Sequence, residues 1–337
     1  MTLQWERKCK LTVQIEDGQP EALDLSDFKI VFHIGQATTS TPKAAEFYIY
    51  NMSESTMNRL AGMNSEKVNS TVIFECGYML GPLEIVFKGR VFQYRRGRDN
   101  PTDTWLCILA QSGDRLKSTA LVNQTLSAGT TINDIGNFLI DEASKHNIEK
   151  GDVVDLSTQQ YPRGRVFFGP LEENLRQFYE ENNMLIDFSD DNLNVVPIKG
   201  YIPVPVQTLT PRTGMVGMPQ LTSEGLKVSC LLNPKMKWGG RVQVDMSNLQ
   251  TEAYDITYGS QKVDQPQKDP KTATNAGGLF LIRSVEHHGD TRGNDWYTDL
   301  VCIGIDAVVP KTGITIDAVD ENWRPSQTEG LVNGIEF

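Results

Sequence analysis

The sequence predicts a mainly β fold with a smaller α+β part, and three observations carry that prediction. Apolar residues recur with period 2 through the first 115 residues and again beyond residue 200, the spacing of strands with one buried face. From Leu116 to Gly200 the spacing lengthens to i, i+3, i+7, which is helical. The 28 glycines and 16 prolines supply the turns that a strand-rich chain needs. A chain of 337 residues is too long for one ordinary core. The pattern divides it into a first domain at 1–115 that reads as a β-barrel or sandwich, an α+β domain at 116–200, a second β-barrel domain at 201–309 and an extended C-terminal tail at 310–337.

In the first unit, Cys9, Leu11, Val13 and Ile15 alternate with Lys8, Lys10, Thr12 and Gln14 until Asp17-Gly18 breaks the strand. Phe28, Ile30, Phe32 and Ile34 repeat the pattern and Gly35 ends it, which leaves His33 on the opposite, solvated face. After FYIYN, Ser53 or Ser55 caps a short helix with Met57 and Leu60 on its apolar edge, closed by Gly62; such a helix fits as a plug for one end of a barrel. Strands follow at TVIFEC, EIVFKGRVFQY and TWLCILA. Between the last two, RRGRDNPTD forms a hairpin tip with Arg95, Arg96 and Arg98, a tight basic cluster. Solvation is its default state, and contact with carboxylates of a neighbouring subunit is the alternative, because a guanidinium meets a carboxylate at two points.

In the middle unit, Thr131 and Asp134 form a capping box ahead of Ile132, Ile135, Leu139 and Ala143, and Gly151-Asp152 closes the segment. A second helix starts near Pro170 with Leu171, Leu175 and Phe178 on one face, and LIDFSDDNLNVVPI is a hairpin turning at Asp191-Asn192. Its carboxylates, Glu172, Glu173, Glu180, Glu181, Asp187, Asp190 and Asp191, fall at helix ends and in a turn. A hydrolytic pair would need two carboxyl groups in contrasting environments, and this pattern does not indicate them.

Tyr201-Ile-Pro-Val-Pro-Val is a stiff extended linker. Beyond it Leu226, Val228, Cys230 and Leu232 line one side of a strand that stops at Asn233-Pro234. Trp238-Gly239-Gly240 then turns the chain into Val242, Val244 and Met246. A long polar insertion near 247–278 interrupts this unit; it is expected to project and to order on a neighbour through Tyr254 and Tyr258. His287 and His288 point to opposite faces of a strand, poor geometry for one ion, and Gly289-Asp290 with Arg292-Gly293-Asn294 are turn residues. The tail is polar with isolated apolar anchors, and Trp323 and Phe337 are its candidate partner contacts.

Composition narrows the function classes. The five cysteines, Cys9, Cys76, Cys107, Cys230 and Cys302, are scattered through apolar runs, as small buried hydrophobes in a reducing compartment are. A net charge of -11 disfavours a dedicated nucleic-acid binder; it serves either plain solubility or repulsion of phosphate. No apolar leader and no membrane-length apolar run is present, which predicts a soluble chain without a membrane partner. The sequence contains no nucleophile elbow, glycine-rich phosphate loop or HExxH helix, so neither catalytic residues nor a cofactor are assigned.

Wording is more specific than pattern. Gly217-Met218-Pro219, then SEGLKVSCLLNP, a Gly239-Gly240 turn, and His288-Gly289-Asp290-Thr291 ahead of Trp296 occur in an order that resembles the baseplate hub protein of contractile-tailed bacteriophages. AEFYIYNMSESTMNRL and FKGRVFQYRRGRDNPTDTWLCILAQSGD extend the resemblance over most of the chain. It implies two tail-tube-like β-barrels flanking the α+β domain, in a virion protein assembled in the host bacterial cytoplasm. It further implies a homotrimer that joins the hexameric tail tube, or a tube-initiator protein, to a separate trimeric central spike. Other baseplate proteins would surround it, and the genome would pass through its channel without specific binding. Alternatives are a tail-associated cell-wall hydrolase and a sixfold tail-tip or tube adaptor.

Overall fold

The period-2 runs become strands, and most of them join one sheet. The computed structural model describes residues 6–15, 21–37, 42–63, 70–198, 200–222, 225–245, 250–251 and 278–304. The N-terminal part contains β1 (Arg7–Ile15), β2 (Glu21–Asp24), β3 (Ile30–Gln36), β4 (Ala44–Tyr50), α1 (Glu54–Ala61), β5 (Ser70–Tyr78), β6 (Glu84–Arg98) and β7 (Thr104–Gln111). Inward residues of these strands bury Phe32, Phe47, Phe74 and Phe87 in one cluster, and α1 adds Leu60 and Ala61 to it. Ser53 caps α1 by accepting the Thr56 N–H at 3.2 Å, and Gly62 ends it at a φ of 76°. Gly35 does not end β3 as expected. It pairs with Ala44 on one side and Glu286 on the other, so two neighbours hold it extended.

β6 also runs further than expected. Its pairing with β7 continues through Arg96↔Leu106 to Arg98↔Thr104, so the hairpin tip contains only residues 99–103. Gly97 permits this, because a Cβ there would meet the Trp105 ring at 2.0 Å. A bulge at Phe92, between Val91↔Ala110 and Gln93↔Leu109, turns that side chain into solvent.

The middle part contains α2 (Asp114–Thr119), β8 (Leu121–Leu126), α3 (Ile132–Ser144), β9 (Glu149–Val153), β10 (Arg165–Pro170), α4 (Leu171–Glu181), β11 (Met184–Asp187) and β12 (Asn192–Pro197). The capping box forms as expected, with the Asp134 N–H on Thr131 Oγ1 at 3.1 Å. Leu139 and Ala143 of α3 pack with Leu171, Leu175 and Phe178 of α4. Gly151-Asp152 lies inside β9, whose parallel pairing with β12 pulls the segment into a small sheet. The β11–β12 turn is a 3-10 turn at Ser189–Asp191, slightly earlier than predicted. Asp190 and Asp191 adopt φ values of 57° and 58° there, a left-handed geometry that Asp tolerates better than most residues.

The C-terminal part contains β13 (Gln207–Leu209), β14 (Met215–Thr222), β15 (Gly225–Leu231), β16 (Arg241–Val244), β17 (Gln250–Thr251), β18 (Leu279–Asp290) and β19 (Trp296–Gly304). Val228, Cys230, Phe280 and Leu300 form its core. Two tail-tube-like β-barrel domains were expected, and no closed barrel is found among the described residues. β18 pairs with β3 from Val285↔Gln36 to Asp290↔Val31, so N-terminal and C-terminal strands belong to one 14-stranded sheet. Its path runs from β17 to β2 with no closing ladder among the described residues. Trp296 and Leu232 from the C-terminal part enter the N-terminal core, which makes the seam a packed interface as well as a hydrogen-bonded one.

Candidate functional site

The middle part meets the sheet through buried polar side chains. Lys43, just before β4, donates to both oxygens of Asp190 at 2.9 Å and to the Val86 carbonyl at 2.5 Å. Both partners are nearly solvent-free, with side chains 9% and 8% exposed. Asp190 also accepts the Lys88 N–H at 3.1 Å, and its own N–H donates to Ser112 Oγ at 3.2 Å. A buried pair of this kind contributes little over an apolar contact, but removing one partner strands the other charge. It therefore fixes orientation.

Asp187 anchors a second group. Its Oδ1 accepts Gln36 Nε2 at 2.6 Å, and its Oδ2 accepts Ser189 Oγ at 2.6 Å and Asn194 Nδ2 at 3.2 Å. Burial raises the Asp187 carboxyl above the usual carboxylate range, opposed by the hydrogen bonds from Ser189 and Asn194. Both carboxylates border a cavity of about 220 Å³ that Lys43, His287, Trp238 and Met236 also line. Their acceptor oxygens are occupied by protein donors, which makes the arrangement a clasp.

His287 faces the same cavity and accepts or donates one hydrogen bond, Nδ1 to Thr298 Oγ1 at 2.8 Å. Burial, with smaller contributions from Lys43 and His288, lowers its pKa from 6.5 to about 3, so the imidazole is neutral. His288 lies on the other face and meets Asp299 at 3.0 Å. Arg283 is the bulged residue of β18, between Ile282 and Ser284. Its buried guanidinium donates to the Ile198 carbonyl at 3.3 Å and lies 5.9 Å from the Trp238 ring centre. Ile198, Ile202, Leu185 and Val196 complete a buried apolar cluster around Trp238.

The predicted contact residues divide. Arg96 turns inward: it donates to Asn58 Oδ1 at 2.7 Å, to the Met57 carbonyl at 3.2 Å and to the Gly62 carbonyl, satisfying the C-terminal end of α1. Arg95 reaches Gln93 Oε1 at 3.2 Å on the surface, and Arg98 is exposed at the end of β6. Tyr254, Tyr258, Trp323 and Phe337 lie outside the described residues. Sequence reasoning missed Lys43, Gln36 and His287 as a group, and it dismissed Asp187 and Asp190. The available signal was an aspartate in the apolar run MLIDF.

Among the free cysteines, Cys76, Cys107, Cys230 and Cys302 are buried and Cys9 is half-buried. Desolvation raises the thiols of Cys9 and Cys230 to about 11 and about 12, so neither is an ionised nucleophile at neutral pH.

A family model described as baseplate hub gp41 matches residues 9–258, most of the chain. The chain belongs to the baseplate hub family. It is thus a structural component of a phage tail baseplate, as the resemblance in its sequence implied. No curated protein matches the hub sequence. Three solved structures share its mainly β fold. The tail protein from Neisseria meningitidis MC58 is 10% identical, with 89% of this chain and 99% of that one covered and a TM-score of 0.52. The 43 kDa tail protein of prophage MuSo2 from Shewanella oneidensis is 9% identical, with 89% and 99% covered and a TM-score of 0.54. An E. coli component of the type VI secretion system, described as structurally similar to T4 tail proteins gp27 and gp5, is 11% identical, with 86% and 77% covered and a TM-score of 0.50.

Proposed function

We propose that three copies of this chain form the hub that joins the hexameric tail tube to a separate trimeric spike and surrounds the genome channel. The observation that carries the reading is the β3–β18 seam, which joins two strand groups side by side in one sheet. Three chains with two tube-like groups each would offer six similar units in a ring, a face on which a hexamer can stack. A closed ring needs heterologous contacts, so the outer edge of one strand group would meet the outer edge of the other on the next copy. The net charge of -11 supports a channel wall that does not retain phosphate. Neighbours include the tube or its initiator, the spike and other baseplate proteins, and the reading is non-enzymatic. Residues 1–115, 116–200 and 201–309 would act as the two barrel-like units and the peripheral unit, and residues beyond Val309 would contact the spike.

Counting copies in purified baseplates tests this. Three per particle is expected, while six would establish the sixfold adaptor instead. Clearing of a peptidoglycan suspension by the pure protein would refute the non-enzymatic reading. Spike binding unchanged by deletion after Val309 would refute the tail contact.

A further inference from the structure

Hydrogen-bond accounting at the junction cavity leaves donors without partners on one side. Lys43 directs its ammonium at the Val86 carbonyl and both Asp190 oxygens, and Gln36 bonds Asp187, so the N-terminal side is satisfied by protein. The C-terminal side is not. Trp238 is 2% exposed and lines the cavity, and its Nε1–H meets no acceptor among the described residues. His287, equally buried, is the second case. The Thr298 hydroxyl beside it is fully buried and already accepts the Asn233 N–H at 3.1 Å. Among the described residues, His287 Nδ1 at 2.8 Å is the acceptor that remains for the hydroxyl proton. A buried hydroxyl keeps an acceptor, so Thr298 donates and Nδ1 accepts. The neutral imidazole carries one N–H, which is then at Nε2, and no described residue accepts it. Across the cavity, Asn192 at the start of β12 donates through Nδ2 to the Asp190 carbonyl at 3.2 Å, which leaves Oδ1 as an acceptor.

Size and chemistry decide what fits. At about 220 Å³ the cavity is smaller than the ~300–1,000 Å³ pockets that enclose drug-sized ligands and several times the ~30 Å³ share of one water. An entirely apolar cavity of ~150 Å³ stays dry, whereas polar walls hold waters that each make about two to four hydrogen bonds. A cation would find the Asp187 and Asp190 oxygens already accepting from protein, and an anion would share the cavity with the Asp190 carboxylate. The occupant that accepts from N–H groups on one wall and donates to an amide oxygen on the other is water.

We propose that the junction cavity is a hydration site, in which ordered waters accept from Trp238 Nε1–H and His287 Nε2–H and donate to Asn192 Oδ1. Direct bonds tie the middle part to the N-terminal strands through Lys43 and Gln36, and the waters tie it to the C-terminal strands. Bridging water is enthalpically nearly as good as a direct bond, and it rearranges without separating two protein groups. The junction is thus held by protein on one side and by solvent on the other. The inference concerns the isolated chain and stands whatever number of copies a baseplate holds.

A high-resolution crystal structure of the full chain tests it. Waters within ~3.2 Å of Trp238 Nε1 and His287 Nε2 are expected. A dry cavity, a protein acceptor on either nitrogen, or a copurified small molecule in place of the waters would overturn the proposal. In solution, the Trp238 indole N–H, assigned by its loss in Trp238→Phe, is expected to show an NMR cross-peak to long-lived water. Val204→Met enlarges a side chain in the cavity wall and is expected to abolish that cross-peak while the other indole signals stay in place. A wild-type indole without the cross-peak would overturn the proposal, as would a cross-peak that survives in folded Val204→Met. If that variant does not fold, the crystal density and the wild-type spectrum decide.

Discussion

Lys43→Met isolates the buried clasp. The substitution keeps most of the side-chain volume but removes the cation that contacts both Asp190 oxygens at 2.9 Å. Asp190 is left with the Lys88 N–H at 3.1 Å in a nearly buried site. Stranding one member of such a pair costs roughly 3–5 kcal/mol. At 3 kcal/mol the opening equilibrium of the clasp rises about 150-fold, since each 1.36 kcal/mol is tenfold. Asp190→Asn, chosen because Asn tolerates the left-handed backbone, strands Lys43 in turn. The double variant should cost much less than the two single costs together, a coupling of about 2–4 kcal/mol. Amide exchange over β11 and β12, with urea melts of the same proteins, measures all three. The pair is buried, so added salt should change the coupling little. Additivity within about 0.5 kcal/mol would refute the clasp as an orienting device.

His287 predicts an acid-side loss of stability. Its imidazole stays neutral down to about pH 3 in the folded chain but protonates near 6.5 when unfolded. Its contribution is therefore complete above pH 6.5 and falls as the pH drops, by about 2 kcal/mol at pH 5. The raised Asp187 acts in the opposite sense, losing stability as pH rises above 3.8, so the measurement is the difference between wild type and His287→Asn. A melt difference independent of pH would contradict this account. Arg96→Ala should release α1, with about 1–3 kcal/mol lost and faster exchange confined to Met57–Gly62. Gly97→Ala should disrupt the end of the β6–β7 hairpin through its clash with Trp105, visible as a shifted tryptophan emission; unchanged emission and melting temperature would contradict it.

Local elements were legible because their causes are local. Ser53 and Thr131 are capping residues whose partners lie three positions on, and the alternation of Leu11, Val13 and Ile15 reports a buried face directly. The ends of elements were less legible where a partner from far away extended them. β3 continues past Gly35 because β18 lies beside it, some 250 residues later in sequence. β9 includes Gly151 because β12 draws it into a parallel pair.

By itself the sequence determined the mainly β class, the helical middle segment, the buried thiols and, through the order of its phrases, the hub family. Tertiary structure decided that the two strand groups share one sheet, that Arg96 serves α1, and that Lys43, Gln36, Asp187, Asp190 and His287 meet. The reason is that periodicity encodes which face of an element is buried but not what covers it. Charged and polar residues at a junction look like surface residues until the partner that desolvates them is in place.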